Sequence, residues 1–290
     1  MRKLRIIILI FFLAVLGVFI STEVRDRLSA DSSAPVITAD SDAISVSVTA
    51  TEEDLLAGMT ATDNLDGDVT DTLVVVSKSK FITRGTLRVN YAAFDNNNNV
   101  GLYTRDVTFY DYTPPRFSIS QPLRFLKGNS GNDYLQYISA EDCLDGSITQ
   151  QIRISLGETT AVSDSVSQRT ANLMVTNSAG DNATLPINIL IEEYNTYNTR
   201  APALKDYVLY IKAGTRPDLR ENLAGIWAGG KVTPFENTTF DPNRDIVIDD
   251  SNVDYSVNGM YTAFYRLSQE DRYGVRTELG AADLMVIVGD

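Results

Sequence analysis

A chain of 290 residues with 43% hydrophobic side chains has room for two or three small cores and is not a disordered tail. It carries 25 Lys+Arg against 38 Asp+Glu, a formal net charge of −13, and such acidity opposes the phosphate backbone, so no nucleic-acid partner is expected. It has no histidine and one cysteine, Cys143, which excludes Ser-His-Asp and Cys-His nucleophile pairs, histidine-ligated zinc and intrachain disulfides.

The first thirty residues stand apart from the rest. Met1-Arg-Lys-Leu-Arg5 precedes an unbroken apolar run from Ile6 to Ile20. As a helix that run rises roughly 22 Å, against about 30 Å of bilayer hydrocarbon. Leu4 and Ser21-Thr22 extend it, and the Arg5 stem can snorkel toward the headgroups. Small residues at −3 and −1 of a cleavage site are missing after Ile20. Residues 4–22 are therefore expected to contact the membrane as an uncleaved signal anchor, with a cleaved signal peptide as the alternative. The basic flank places the N-terminus in the cytoplasm. The expectation is one N-terminal transmembrane helix within residues 1–30, a single-pass cell-membrane location, and extracellular C-terminal domains.

Beyond residue 30 the texture changes. Ile44-Ser-Val-Ser-Val-Thr49, Leu87-Arg-Val-Asn-Tyr91, Val107-Thr-Phe-Tyr110 and Ile152-Arg-Ile-Ser-Leu156 alternate apolar and polar residues, the period of a half-buried strand. Clusters of Asp, Asn, Gly and Pro separate them, which is turn chemistry. The fold class is all-β.

The strands repeat. Pro35, Pro115 and Pro202 stand 80 and 87 residues apart. Ala61-Thr-Asp63-Asn-Leu-Asp66-Gly67-Asp68-Val-Thr70 is answered by Ala140-Glu-Asp142-Cys-Leu-Asp145-Gly146-Ser147-Ile-Thr149, and Tyr91-Ala-Ala-Phe-Asp95 by Leu173-Met-Val-Thr-Asn177. The third copy keeps Val253 to Tyr265 in similar style, while its Asp-Gly turn has decayed to Ala228-Gly-Gly-Lys231. Units of this size suit two-sheet sandwiches. Three are expected in tandem, over 34–112, 113–194 and 200–290, joined by short linkers at 111–113 and 193–200.

The pattern of Pro, then Asp-x-x-Asp-Gly-Asp-x-Thr at Asp63–Thr70, then Gly85 through Tyr91-Ala-Ala-Phe-Asp95, resembles bacterial immunoglobulin-like surface domains of the group-3 and hyalin-repeat-like type. The second copy departs at Ser147 and Asn177, and the third matches mainly in its second half. The resemblance implies a non-enzymatic structural or adhesive protein of a bacterial cell surface, presenting its domains to a surface protein or a glycan. A carbohydrate-binding or polysaccharide-assembly component of the cell envelope is the alternative.

Candidate chemistry is sparse. Asp63, Asp66, Asp68 and Asp95 form the densest set of oxygen ligands, and calcium takes six to eight oxygens. The same residues are the best turn formers, so a purely turn-building role competes with a calcium site. No other cofactor is implied and no catalytic residue is assigned. Asp249-Asp250 and Glu270-Asp271 are the nearest acidic pairs, but neighbours on a strand point to opposite faces and cannot form a hydrolytic dyad. Trp227 is expected in a core, with sugar stacking as the alternative, and Cys143 as a half-buried side chain or an intermolecular disulfide partner.

Overall fold

The computed structural model describes residues 2–29, 32–128 and 133–289. A helix, α1 (Arg2–Ser29), opens the chain, and every side chain from Ile6 to Ile20 along it is exposed. Among the described residues, no helix is long and apolar enough to cross a membrane. The expected transmembrane helix is corrected on that point. The uninterrupted apolar stretch is fifteen residues, roughly 22 Å of helix, which falls short of the hydrocarbon thickness.

The strands come in three sets of seven. The first set is β1 (Val36–Ala39), β2 (Ala43–Val46), β3 (Met59–Asp63), β4 (Gly67–Asp68), β5 (Val74–Thr83), β6 (Thr86–Phe94) and β7 (Val100–Phe109). The second is β8 (Arg116–Ile119), β9 (Arg124–Leu126), β10 (Ile138–Asp142), β11 (Gly146–Ser147), β12 (Arg153–Ser163), β13 (Val166–Thr176) and β14 (Asn182–Glu192). The third is β15 (Ala201–Leu204), β16 (Val208–Lys212), β17 (Leu223–Ala228), β18 (Lys231–Thr233), β19 (Ile246–Asp249), β20 (Gly259–Glu270) and β21 (Arg276–Gly289).

Each set is wired identically. The first, third and fourth strands form one antiparallel sheet, β1-β3-β4 in the first repeat. The second strand crosses to the other sheet and lies parallel to the seventh, giving β2-β7-β6-β5, then β9-β14-β13-β12 and β16-β21-β20-β19. Alternation decides which face is inward. On β6, Leu87, Val89 and Tyr91 are buried between polar neighbours, and they meet Ile37 and Ala61 from the opposite sheet. Two short helices, α2 (Glu52–Leu56) and α3 (Tyr194–Tyr197), complete the fold. Thr51 and Asp54 form a reciprocal capping box at the start of α2. The buried hydroxyl of Tyr91 donates to the Leu55 carbonyl there at 3.0 Å, and Tyr265 of the third repeat donates to Leu219 at 2.7 Å. A residue this bulky needs its polar tip satisfied, and α2 does it in the first repeat while the 3-10 turn Leu219–Asn222 does it in the third.

The chain divides into two compact units, Met1–Tyr112 and Thr113–Asp290. The first holds α1 and the first repeat. The second holds the other two repeats, which share one apolar core running from Phe117 to Val288. Within that unit the main chain itself crosses between repeats. Tyr207 N–H donates to the Ile119 carbonyl at 2.9 Å, and the Asp206 carboxylate accepts from Ile119 N–H at 2.9 Å and from the Ser118 hydroxyl.

Candidate functional site

The carboxylate cluster of the first repeat is built from two turns. Asp63 ends β3, and its Oδ1 accepts from the N–H groups of Leu65 at 2.8 Å and Asp66 at 3.1 Å. Gly67 follows with φ +74, a left-handed position that suits glycine. Asp66 reaches to the β6–β7 loop, where it accepts from Asn96 N–H at 2.9 Å and Asn96 Nδ2 at 2.6 Å. Asp95 Oδ1 accepts from the N–H groups of Asn97 at 2.9 Å and Asn99 at 2.7 Å, folding that loop around its carboxylate.

The result brings one carboxylate oxygen each of Asp63, Asp66 and Asp95 within 4.8 Å of one another. Asp63 and Asp95 are buried, at 8% and 7% exposure. Three such oxygens supply about half of a calcium shell, the remainder falling to carbonyls or water. Asp68 does not join them. Its carboxylate turns away to accept from Thr70 N–H at 3.0 Å, and Thr70 lowers its pKa, through the side chain first and the backbone second. Of the four residues expected as metal ligands, Asp63, Asp66 and Asp95 converge, and Asp68 lies outside that group, bonded to Thr70.

The second repeat builds the same corner without the third carboxylate. Asp142 Oδ1 accepts from Leu144 and Asp145 N–H at 2.9 and 3.1 Å, and Asp145 grips Ser178 through its N–H and hydroxyl, both at 2.6 Å. Where Asp95 would stand is Asn177, whose Nδ2 donates to Asp142 Oδ2 at 3.1 Å. In the third repeat only the loop half survives. Asp271 Oδ1 accepts from Tyr273 and Val275 N–H at 2.8 and 2.9 Å, with the same i+2 and i+4 spacing as Asp95.

The remaining candidates are held in structural contacts. Asp250 pairs with Arg216 at 2.8 Å and accepts from the Tyr255 hydroxyl, Asp249 caps Ser251, and Glu270 faces Arg276. Cys143 Sγ donates to the Thr113 carbonyl at 3.1 Å, holding the start of the second repeat. Trp227 is 1% exposed, so its sugar-stacking alternative does not hold.

Trp227 instead belongs to a junction that sequence reasoning missed. The Arg124 guanidinium lies 4.3 Å over its ring, and Tyr197 meets it edge-on at 5.3 Å. Arg124 also pairs with Glu192 at 2.8 Å and donates to the Thr196 carbonyl at 3.0 Å. Glu192 is 3% exposed and Arg124 12%. The segment expected as a linker thus carries α3, packed on the third repeat, with Gly229 N–H donating to the Tyr197 carbonyl. A Glu-Glu pair after an apolar strand reads as a surface turn, and nothing in its spacing announces the arginine 68 residues earlier.

No family model matches this chain, and no curated protein does. Among solved structures it is similar to the extracellular domain of protocadherin γB4, at 11% identity and a TM-score of 0.21 over 88% of this chain. That alignment covers 49% of the protocadherin chain, so the present chain spans about half its length. It is similar to human CDH23 EC21–23 at 14% identity and a TM-score of 0.21, covering 88% of this chain and 100% of the other. The M60 catalytic domain with CBM51-1 and CBM51-2 of Clostridium perfringens ZmpB aligns at 11% identity and a TM-score of 0.20, over 88% of this chain and 31% of that one.

Proposed function

We propose that this chain is a non-enzymatic adhesive or structural protein of a bacterial cell surface, held at the membrane through α1, with its β-sandwiches outside. On this reading the sandwiches are immunoglobulin-like domains of the group-3 and hyalin-repeat-like type, and they present loop ends and clefts to a surface protein or a glycan. The observation that carries it is the helix of unbroken, exposed apolar side chains from Ile6 to Ile20 placed ahead of three copies of one sandwich. A helix apolar on every side needs a lipid or protein environment, because water penalises each exposed aliphatic group. Calcium at Asp63, Asp66 and Asp95 belongs to the same proposal, as a brace for one end of the first repeat.

Two measurements test this reading. The full chain should fractionate with membranes, and protease added to intact cells should remove the sandwiches. Recovery wholly in the soluble cytoplasmic fraction, or protection from the external protease, overturns it. The alternative of a carbohydrate-binding or polysaccharide-assembly component is favoured by one further feature, a cleft of mixed polar and apolar lining in the Thr113–Asp290 unit.

A further inference from the structure

That unit contains a cleft of about 400 Å³ where the second and third repeats meet, a size within the range of small-ligand sites. Six polar side chains line it: Arg124 and Tyr207, which are engaged with Glu192 and Leu204, and four that are not, Gln168 on β13, Asn188 on β14, Thr262 on β20 and Asp283 on β21. Leu190 and Met285 supply apolar surface beside them. Strand register explains why these residues share a cleft. Gln168 is opposite Leu190 and Asn188 opposite Thr170, so both lie on one outward side of the second repeat's sheet. Thr262 is opposite Met285, and Asp283 precedes Met285 by two, so these share one face of the third repeat's sheet.

The four side chains have a second property in common. Among the described residues, none of the four makes a side-chain hydrogen bond or ion pair, so all four are open to a ligand. The charges around them are already balanced. Arg124 at the rim is bound to Glu192, and Arg266 is the cation that offsets Asp283. Desolvation raises the Asp283 carboxyl above the usual range and Arg266 opposes it, while the side chain itself stays open to solvent.

We propose that this cleft binds a neutral, hydroxyl-rich ligand, namely a mono- or disaccharide unit of a glycan. Donor and acceptor chemistry selects that class. The carboxylate only accepts, the two carboxamides do both, and the threonine hydroxyl does both. A sugar edge offers several hydroxyls that donate and accept at once, and its C–H face can rest on Leu190 and Met285. An anionic ligand finds no uncommitted cation in the cleft and meets Asp283 directly. Hydrogen bonds from sugar hydroxyls to the Asp283 carboxylate are charge-assisted and add to those made by the carboxamides. The inference rests on the surface-exposed, ligand-presenting reading of the chain, and it assigns that role to one place.

The test uses the full chain in a non-glycosidic detergent, probed with an array of neutral di- and tetrasaccharides of glucose, galactose, mannose and N-acetylglucosamine. The best probe is then titrated calorimetrically. At least one sugar should bind saturably. Asp283→Ala and Asn188→Ala should each weaken it about tenfold, the effect of losing one good hydrogen bond, while Asp68→Ala in the first repeat leaves it unchanged. Both cleft residues are exposed on strand faces, and an unshifted melting curve followed by Trp227 emission confirms that each variant folds. No binding by any sugar, binding indifferent to both substitutions, or occupation of the cleft by peptides alone overturns the proposal. Adhesion of beads coated with the full chain separates the two readings. Beads that adhere alike with wild type and Asp283→Ala leave adhesion standing and count against the cleft. Sugar binding that needs Asp283 supports the cleft even where beads fail to adhere.

Discussion

At the end of β3, Asp63 and Asp66 face Asp95; at the end of β10, Asp142 and Asp145 face Asn177. The backbone hydrogen bonds of the two corners match nearly one for one, so the turn itself does not require the third carboxylate. The second repeat closes its corner with an amide donating to a carboxylate, whereas the first gathers three carboxylates. The same contrast runs through the two compact units. The Thr113–Asp290 unit pairs two of its buried carboxylates with cations, Glu192 with Arg124 and Asp245 with Arg244, and ties the third, Asp142, to the Asn177 amide. The first repeat leaves a concentration of negative charge at one end. One unit is closed electrostatically, and the other is suited to a cation.

The largest expected effect breaks the closed unit. Arg124→Ala strands Glu192 in a buried site and should cost about 3–5 kcal/mol in the Thr113–Asp290 unit. Urea denaturation followed by Trp227 emission measures it directly, since this is the only tryptophan and it lies under Arg124. The first repeat should melt unchanged. Replacing both partners, Arg124→Leu with Glu192→Leu, should recover most of the loss, because two apolar groups leave no buried charge behind. A loss under about 1 kcal/mol would mean the junction is a solvated pair of little consequence.

Alkali should weaken the same unit next. Burial pushes Tyr207 up to about 12, and burial with the Asp250 hydrogen bond pushes Tyr255 to about 12; burial raises Tyr265 further still. A raised folded pKa means the native state holds its proton more tightly than the unfolded chain does. The contribution is therefore fully present below pH about 10 and is lost as pH rises from there toward 12. Tyr207 alone should account for on the order of 2 kcal/mol. The first repeat has two such rings, Tyr91 raised by burial and Tyr103 raised by its hydrogen bond to Asp42, but neither shift is as large, so it should lose less. Calorimetry of the full chain across that range should show the larger transition moving down first. Equal shifts in both transitions would contradict the assignment.

Much of this was legible in the residues. Alternation along β6 and β7 marks half-buried strands because one face of each meets a core, whereas β12, which alternates at its start, is exposed beyond Ile154. The spacing of Pro35, Pro115 and Pro202 marks repetition, and Asp66 together with Asp95 pointed to two loops that do approach each other. Where Asp68 points was not legible, because composition shows a carboxylate but not its direction, and Thr70 two residues on bonds it locally. The junction was invisible for a different reason. Arg124, Glu192 and Trp227 sit on three strands of two repeats, so their meeting is a product of tertiary packing, without periodicity or motif. The cleft shares that origin, since Gln168 and Asp283 belong to ordinary outward-facing strand positions until two sheets bring them together.

The smallest effect bears most directly on the contrast between the corners. Asp95→Asn gives the first repeat the amide that the second already has. Its Oδ1 can keep the bonds from Asn97 and Asn99 N–H, while its Nδ2 can donate toward Asp63 as Asn177 does toward Asp142. One bond, from Asn99 Nδ2 to Asp95 Oδ2 at 2.7 Å, is lost in exchange. Removing one of three clustered negative charges should outweigh that loss, so in chelator the substitution should stabilise the first repeat by about 1 kcal/mol. Millimolar calcium should invert the order. A cation that binds only the folded wild type adds RT ln(1 + [L]/Kd), about 2.7 kcal/mol at a hundredfold excess over Kd, and Asp95→Asn forfeits a ligand and a charge. The calorimetric transition of Met1–Tyr112 should therefore rise with calcium in the wild type and stay nearly still in Asp95→Asn. The Thr113–Asp290 transition, with Asn177 already in place, should stay still in both. A wild-type first repeat indifferent to calcium, with Asp95→Asn still stabilising, would show that the three carboxylates shape two turns at an electrostatic cost and hold no ion.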